Sequence, residues 1–267
     1  LHVRTKQVPT FTTKNIGQST PVAAVANTIT VTFATNVNLL GTDSSKVTIS
    51  GLTGAPDASS LALTTVTNSS ADLFSVSSVQ GKGALSSETL TLSVHSGQTV
   101  TAGTEYIFSF QVTNPSGAQN AATVLIAASG TVSLASVSMT TDTPDLYGVA
   151  EGGKPMKVIV PSFSASLIGQ NTPIAGATVT VSVTLTASRD FPTGSKVTIV
   201  GLTGTQTADS VSLPVPSTSN RLGTAGVWTQ STGQLVLTAA NGGTSQGVAC
   251  TVTFDLRHAA AEYTPPS

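Results

Sequence analysis

The residues able to do chemistry are few and scattered. His2, His95 and His258 stand far apart with no His-x3-His pair, and the one cysteine, Cys250, completes no zinc set. Cys250 precedes Val252 and Phe254 on an apolar alternation, which reads as a small buried hydrophobe. No Gly-x-Ser-x-Gly elbow comes with plausible Asp and His partners. Acids are sparse, and no pair recurs at equivalent places, so the two carboxylates of glycoside hydrolysis have no candidates. Asp142, Asp145 and Glu151 could collect calcium, but the six to eight oxygens that ion needs are not in sight, and a solvated stretch is the better reading. The expectation is a protein with no catalytic, cofactor-binding or metal residues, and not an enzyme.

Other residues point to modification or surface recognition. Asn68-Ser69-Ser70 is the one Asn-x-Ser/Thr acceptor, since Asn114 is followed by Pro115. Thr264, Pro265 and Pro266 are candidates for O-linked sugar or for sugar on hydroxylated proline. Covalent glycans on Asn68, Thr264, Pro265 and Pro266 are therefore expected, against the plainer reading that exposed Thr rows serve strand propensity. The single tryptophan, Trp228, could stack on a sugar, but packing in a core or interface is favoured. Thr-x-Thr rows also raise ice binding, which twisted sheets of separated strands would not serve.

These residues must be held by a scaffold with an unusual surface. Only 9% of the 267 residues are charged, net charge is −1, and 39% are hydrophobic. A mean hydropathy of +0.24 is too high for a disordered chain. No basic cluster exists to hold nucleic acid or an anionic membrane, and no apolar run spans a bilayer. Neither nucleic acid nor membrane insertion is expected. A charge-poor, hydroxyl-rich surface is weakly guarded against association and suits a glycosylated or crowded extracellular assembly. The lone cysteine, without a disulfide framework, weighs mildly against secretion. The sequence opens at Leu1 with no leader, so a leader has been removed or the chain is a piece of a longer one.

An internal repeat organises the chain. Ser45-Lys46-Val47-Thr48-Ile49-Ser50-Gly51-Leu52-Thr53-Gly54 recurs as Ser195-Lys196-Val197-Thr198-Ile199-Val200-Gly201-Leu202-Thr203-Gly204, and the same spacing sets Thr28–Thr32 against Thr178–Ser182. Upstream, Val8-Pro9-Thr10-Phe11 through Val22 matches Val160-Pro161-Ser162-Phe163 through Ile174 at a spacing two residues longer. Ile29, Val31 and Phe33 alternate with threonines, as do Val179, Val181, Val183 and Leu185, giving one apolar and one hydroxyl face per strand. The fold expected is all-β: two tandem immunoglobulin-like antiparallel β-sandwiches with an extended N-terminal arm. Residues 1–7 read as the arm, 8–130 as the first repeat, 131–159 as a connecting strand and linker, and 160–267 as the second repeat.

The repeats differ at their ends. After Asn114 the first continues into an apolar run, Ala122 to Ala127, whereas after His258 the second has only a short tail with Pro265 and Pro266. The second repeat thus lacks a terminal strand, and a sandwich short of a strand exposes an edge that strand addition from another chain can cover. Residues 1–13 of another copy are the expected donor, with Leu1, Val3, Val8 and Phe11 as the assembly residues. A head-to-tail contact of that kind makes a filament. Two alternatives stand beside it: a second repeat that is simply smaller, and a fragment of a longer array.

The string Gly194 to Asp209, with its shorter version Ser45 to Gly54, resembles repeats in large surface and extracellular-matrix proteins of unicellular algae and protists, including flagellar-hair-type fibrous proteins. The resemblance implies β-sandwiches, glycosylation, an extracellular or cell-surface place and a structural role. The expected function is a protomer of a glycosylated extracellular filament, a head-to-tail homopolymer. The alternative is a cell-surface adhesin or carbohydrate-binding module.

Overall fold

The computed structural model describes residues 7–141, 143–217 and 219–260, and the chain divides into two compact units. The first runs to Val160 except for Tyr147–Val149, which pack with the second unit together with everything from Pro161 onward. Among the described residues there is no α-helix, and no helix is long and apolar enough to cross a membrane.

The first unit is built from β1 (Phe11–Gln18), β2 (Ala26–Thr35), β3 (Leu39–Leu40), β4 (Lys46–Ser50), β5 (Ala58–Thr67), β6 (Phe74–Val76), β7 (Val79–Gln80), β8 (Lys82–Ser86), β9 (Thr89–Val94), β10 (Thr99–Val100), β11 (Tyr106–Thr113), β12 (Leu125–Ser129), β13 (Leu134–Ser138) and β14 (Thr140–Thr141). One face runs β14-β1-β2-β11-β5 and the other β5-β8-β9-β4-β12-β13. The long strand β5 belongs to both: its first half pairs β8 through Ala58↔Leu85 and Ala62↔Lys82, its second half pairs β11 through Leu63↔Phe110. The alternating apolar residues of both faces meet in one core, with Phe33, Phe74, Tyr106 and Phe108 in tilted and edge-to-face contact at 5.7 to 6.3 Å. One pairing departs from the antiparallel expectation: β14 lies parallel to β1, because it reaches that edge from β13 on the opposite face.

The second unit holds β15 (Phe163–Gln170), β16 (Thr178–Ala187), β17 (Lys196–Ile199), β18 (Ser210–Pro214), β19 (Ala225–Thr229), β20 (Gln234–Thr238) and β21 (Ala249–Arg257). They form a β15-β16-β21 face and a β17-β20-β19-β18 face around Val181, Val183, Trp228, Leu235 and Phe254. The all-β tandem immunoglobulin-like class is what the chain adopts.

The registers correct the alignment of the repeats. Phe11 pairs Thr35 and Phe163 pairs Ala187, so β2 and β16 correspond at the same 152-residue spacing as β1 and β15, not at the 150 that aligns β4 with β17. The two-residue difference falls after β2, and Val31 corresponds to Val183. A slip of two residues leaves every side chain on its own face, so alternation cannot detect it. β18 breaks where β5 continues. Pro214 and Pro216 offer no N–H to a ladder, and that segment meets β21 through the Pro216 carbonyl, which accepts from Thr253 N at 2.9 Å and Thr253 Oγ1 at 3.2 Å, and through a single Ser217–Val252 bridge.

Candidate functional site

The site follows from what closes the first unit and is missing from the second. On one side of the first unit, β12 pairs β4 from Leu125↔Ser50 to Ser129↔Lys46, and drives Val124, Ile126 and Ala128 into the core. On the other, residues 152–158 cross beside β1. Met156 and Val158 are buried there, and Gln18 N donates to the Gly153 carbonyl at 3.1 Å. Gln18 works as a latch: its Nε2 donates to the carbonyls of Gly152 and Lys157 at 2.9 and 2.8 Å, and its Oε1 accepts from Met156 N at 2.8 Å. Asn27, wholly buried, holds the latch in place by donating to Gln18 Oε1 and Asn114 Oδ1. Residues 131–159, read from the sequence as a connector, therefore lie mainly on the first unit, and one irregular stretch of them completes its core.

In the second unit the corresponding positions are open. Among the described residues no strand pairs the outer edge of β17, the counterpart of β4. Ile168 is 59% exposed where Ile16 is 1%, Phe163 43% where Phe11 is 6%, and Ile174 66% where Val22 is 9%. Gln170, the counterpart of Gln18, is exposed. The glycines give the same contrast: a Cβ on Gly51 would meet the Thr123 carbonyl oxygen at 2.4 Å and one on Gly17 the Gly153 oxygen at 3.7 Å. One on Gly201 or Gly169 would meet nothing within 4 Å. Between these elements lies an open groove of about 300 Å3 lined by Ile168, Gly169, Gln170, Val181 and Leu202. Among the described residues that line it none is charged, and Gln170 is the polar one.

The residues singled out in the sequence fall in separate places. Phe11 is in the first unit's own core, paired with Thr35, so an arm donated elsewhere ends before it. Val8 has an exposed side chain, while its carbonyl accepts from Asn36 Nδ2 at 2.8 Å. Leu1 and Val3, like His2, Asp142, Thr264, Pro265 and Pro266, lie outside the described residues. Asn68 is exposed at a turn with φ 52°, its Nδ2 donating to the Glu105 carbonyl at 2.7 Å. Cys250 is buried and 3.7 Å from Ser219 Oγ. Asp145 accepts from Glu151 N, and Glu151 pairs with Lys154 at 2.5 Å, which holds its carboxyl below the usual glutamate range. Among the described residues no three His, Cys, Asp or Glu side chains gather as metal ligands. Gly243-Thr244-Ser245-Gln246-Gly247 has the nucleophile-elbow spelling, but it is a loop pinned through Gln246 N to Asp190 Oδ1 and through Thr244 to Phe191.

Trp228 is buried, with Nε1 donating to the Thr207 carbonyl at 3.0 Å. It takes the place of Leu85: Leu85 pairs Leu90 and Trp228 pairs Leu235, two residues after glycines whose Cβ would strike the same leucine pair. Sequence reasoning missed that equivalence, and also Gln18, Gln170 and Met156. The recurring Ile-Gly-Gln at 16–18 and 168–170 was the available signal for the two glutamines.

No family model and no curated protein sequence matches the chain. Among solved structures it is similar to a partial N-terminal region of an enterococcal surface protein (8% identity, 97% of this chain and 86% of that one, TM-score 0.32). It is similar to the C-terminal domain of the Streptococcus pyogenes antigen I/II-family protein AspA (9%, 95% and 91%, 0.44). A third is the B domain of a biofilm associated protein (8%, 94% and 73%, 0.30). None of the three is described as an algal or protist protein. These are distant likenesses, and nothing is carried from them to this chain.

Proposed function

We propose that the chain is a structural, non-catalytic segment of an extracellular cell-surface protein of adhesin type, in which tandem sandwiches are closed in series by chain segments added at their open edges. The observation that supports this is the unequal closure of two like sandwiches: the first is completed by residues 122–129 and 152–158, and the second presents the matching groove open. Apolar side chains at 43 to 66% exposure along one edge are a liability for a free monomer and an asset for an assembling one. In its most specific form this is a glycosylated filament whose copies join head to tail by strand addition. A charge-poor surface and an exposed Asn68 suit that setting.

The glycan-binding form of the adhesin reading needs an exposed aromatic platform, and Trp228 does not supply one. Negative-stain microscopy of the purified chain at rising concentration, run beside a glycan-binding screen, separates the two. Oligomers or filaments support the assembling segment. Monodisperse particles that bind a glycan overturn it in favour of a carbohydrate-binding module.

A further inference from the structure

The two sandwiches carry one edge strand in duplicate, and the first unit shows what that edge accepts. Lys46-Val47-Thr48-Ile49 in β4 and Lys196-Val197-Thr198-Ile199 in β17 are identical, and the glycines that follow bend alike, Gly51 at φ 88° and Gly201 at φ 87°. Each strand bonds its inner neighbour in the same phase, Val94 N donating to the Ser45 carbonyl at 2.9 Å and Ala239 N to the Ser195 carbonyl at 2.7 Å. Antiparallel alternation then turns the N–H and C=O groups of Lys46, Thr48 and Ser50 toward β12, and those of Lys196, Thr198 and Val200 toward the open edge. Ile49 and Leu52 are wholly buried, whereas Ile199 and Leu202 are half-buried. The one difference between the ten-residue strings is Ser50 for Val200, and Val200 is 66% exposed.

We infer that the outer edge of β17 is an acceptor for an extended segment of another protein chain with the chemistry of β12: uncharged, apolar at alternate positions as in Val124, Ile126 and Ala128, and small or apolar between them. This rests on the assembling reading above and names its contact. In the register of β12 on β4, the segment's counterparts of Leu125, Ala127 and Ser129 exchange backbone hydrogen bonds with Val200, Thr198 and Lys196. The counterparts of Ile126 and Ala128 stand beside Ile199 and Val197 on the core side, as Ile126 and Ala128 stand beside Ile49 and Val47. The counterpart of Thr123 has room at Gly201, where a Cβ would meet nothing within 4 Å, in the place that the Thr123 carbonyl takes at Gly51. The counterpart of Leu125 packs on Val200, an apolar pair that Ser50 does not offer. Lys196 does not guard the edge, since the same lysine in β4 lies opposite Ser129 with β12 in place.

The probe is a synthetic peptide copying residues 120–130, with lysines appended for solubility, added to the full chain and followed by amide hydrogen exchange. The Thr198 and Val200 amides are expected to slow at least tenfold, and those of Thr48 and Ser50, already paired with β12, to stay as they are. The same peptide with aspartate in place of the isoleucine copied from Ile126 should not bind. Thr198→Pro removes an N–H that β20 does not use and should abolish binding. Val200→Asp, at an exposed side chain where folding is not at stake, should weaken it about fivefold. Trp228 emission checks that both variants fold. Binding that survives the aspartate peptide or Thr198→Pro is apolar adhesion and overturns the inference. A chain that associates with itself but leaves the peptide unbound sinks the inference while the assembling reading stands. If Thr198→Pro abolishes that self-association, the edge takes a second copy and not the stated segment. Binding that begins only after removal of residues 261–267 means that the chain's own end holds the edge, and the inference fails. A chain that stays monomeric and ignores the peptide overturns both.

Discussion

Truncating one isoleucine in each unit measures the difference in closure directly. Ile16 and Ile168 occupy corresponding positions in β1 and β15, facing Val31 and Val183. Ile16 is 1% exposed, so Ile16→Ala removes buried methyl groups and leaves a cavity beneath residues 152–158, at about 3 to 4 kcal/mol. Ile168 is 59% exposed. Truncating it forfeits under half of a transfer energy of about 2 to 3 kcal/mol and opens to solvent instead of a cavity, so the loss is about 1 kcal/mol. The assay is urea unfolding followed by far-UV circular dichroism for both units and by Trp228 fluorescence, which reports the second unit alone because the chain has one tryptophan. Ile16→Ala should shift the transition that Trp228 does not see, and Ile168→Ala should move the Trp228 transition by roughly a third as much in free energy. Equal losses in dilute monomer would mean that β15 is covered as β1 is, and would refute the reasoning.

Met156→Ala should cost the first unit about 2 to 4 kcal/mol while the Trp228 transition stays in place, in the same urea assay, because Met156 fills the core from an irregular segment. Gly51→Ala and Gly201→Ala both force an alanine to φ near +88°, at about 1 to 2 kcal/mol each. Only Gly51→Ala also strikes the Thr123 carbonyl, so it should be the more damaging by calorimetry. Glu151 has its pKa lowered chiefly by the hydrogen bond from Lys154, so its contribution to stability is present above the usual value of 4.5 and is lost as pH falls through the lower folded value. An NMR titration should find the Glu151 midpoint below 4.5, and Lys154→Ala should return it.

Much of the scaffold is legible in the residues, because a period of two and a long collinear repeat are local signals. The Thr-rich strands, the extra apolar strand after Asn114, the burial of Cys250 and the packing of Trp228 all follow from them. What escaped has a physical reason in each case. The two-residue slip at β2 and β16 is invisible to alternation. Residues 150–158 read as a linker because Gly152, Gly153, Lys154 and Pro155 have no period, yet Met156 and Val158 are pinned there by Gln18. Phe11 fell within the expected donor segment 1–13, whereas β1 pairs it with Thr35 and buries it in the first unit's own core. The Trp228–Leu85 equivalence was hidden by the change of side chain, and only the leucine pair beneath Gly83 and Gly226 reveals it.

The account stands on one asymmetry, a closed first sandwich and an open second one. Hydrogen exchange of the dilute monomer, resolved to single amides, tests it most directly at Gln18 and Gln170. The Gln18 amide, bonded to the Gly153 carbonyl, should be protected to near the unfolding limit of its unit, and that of Gln170 should exchange orders of magnitude faster. Equal protection of the two in monomer would contradict the account.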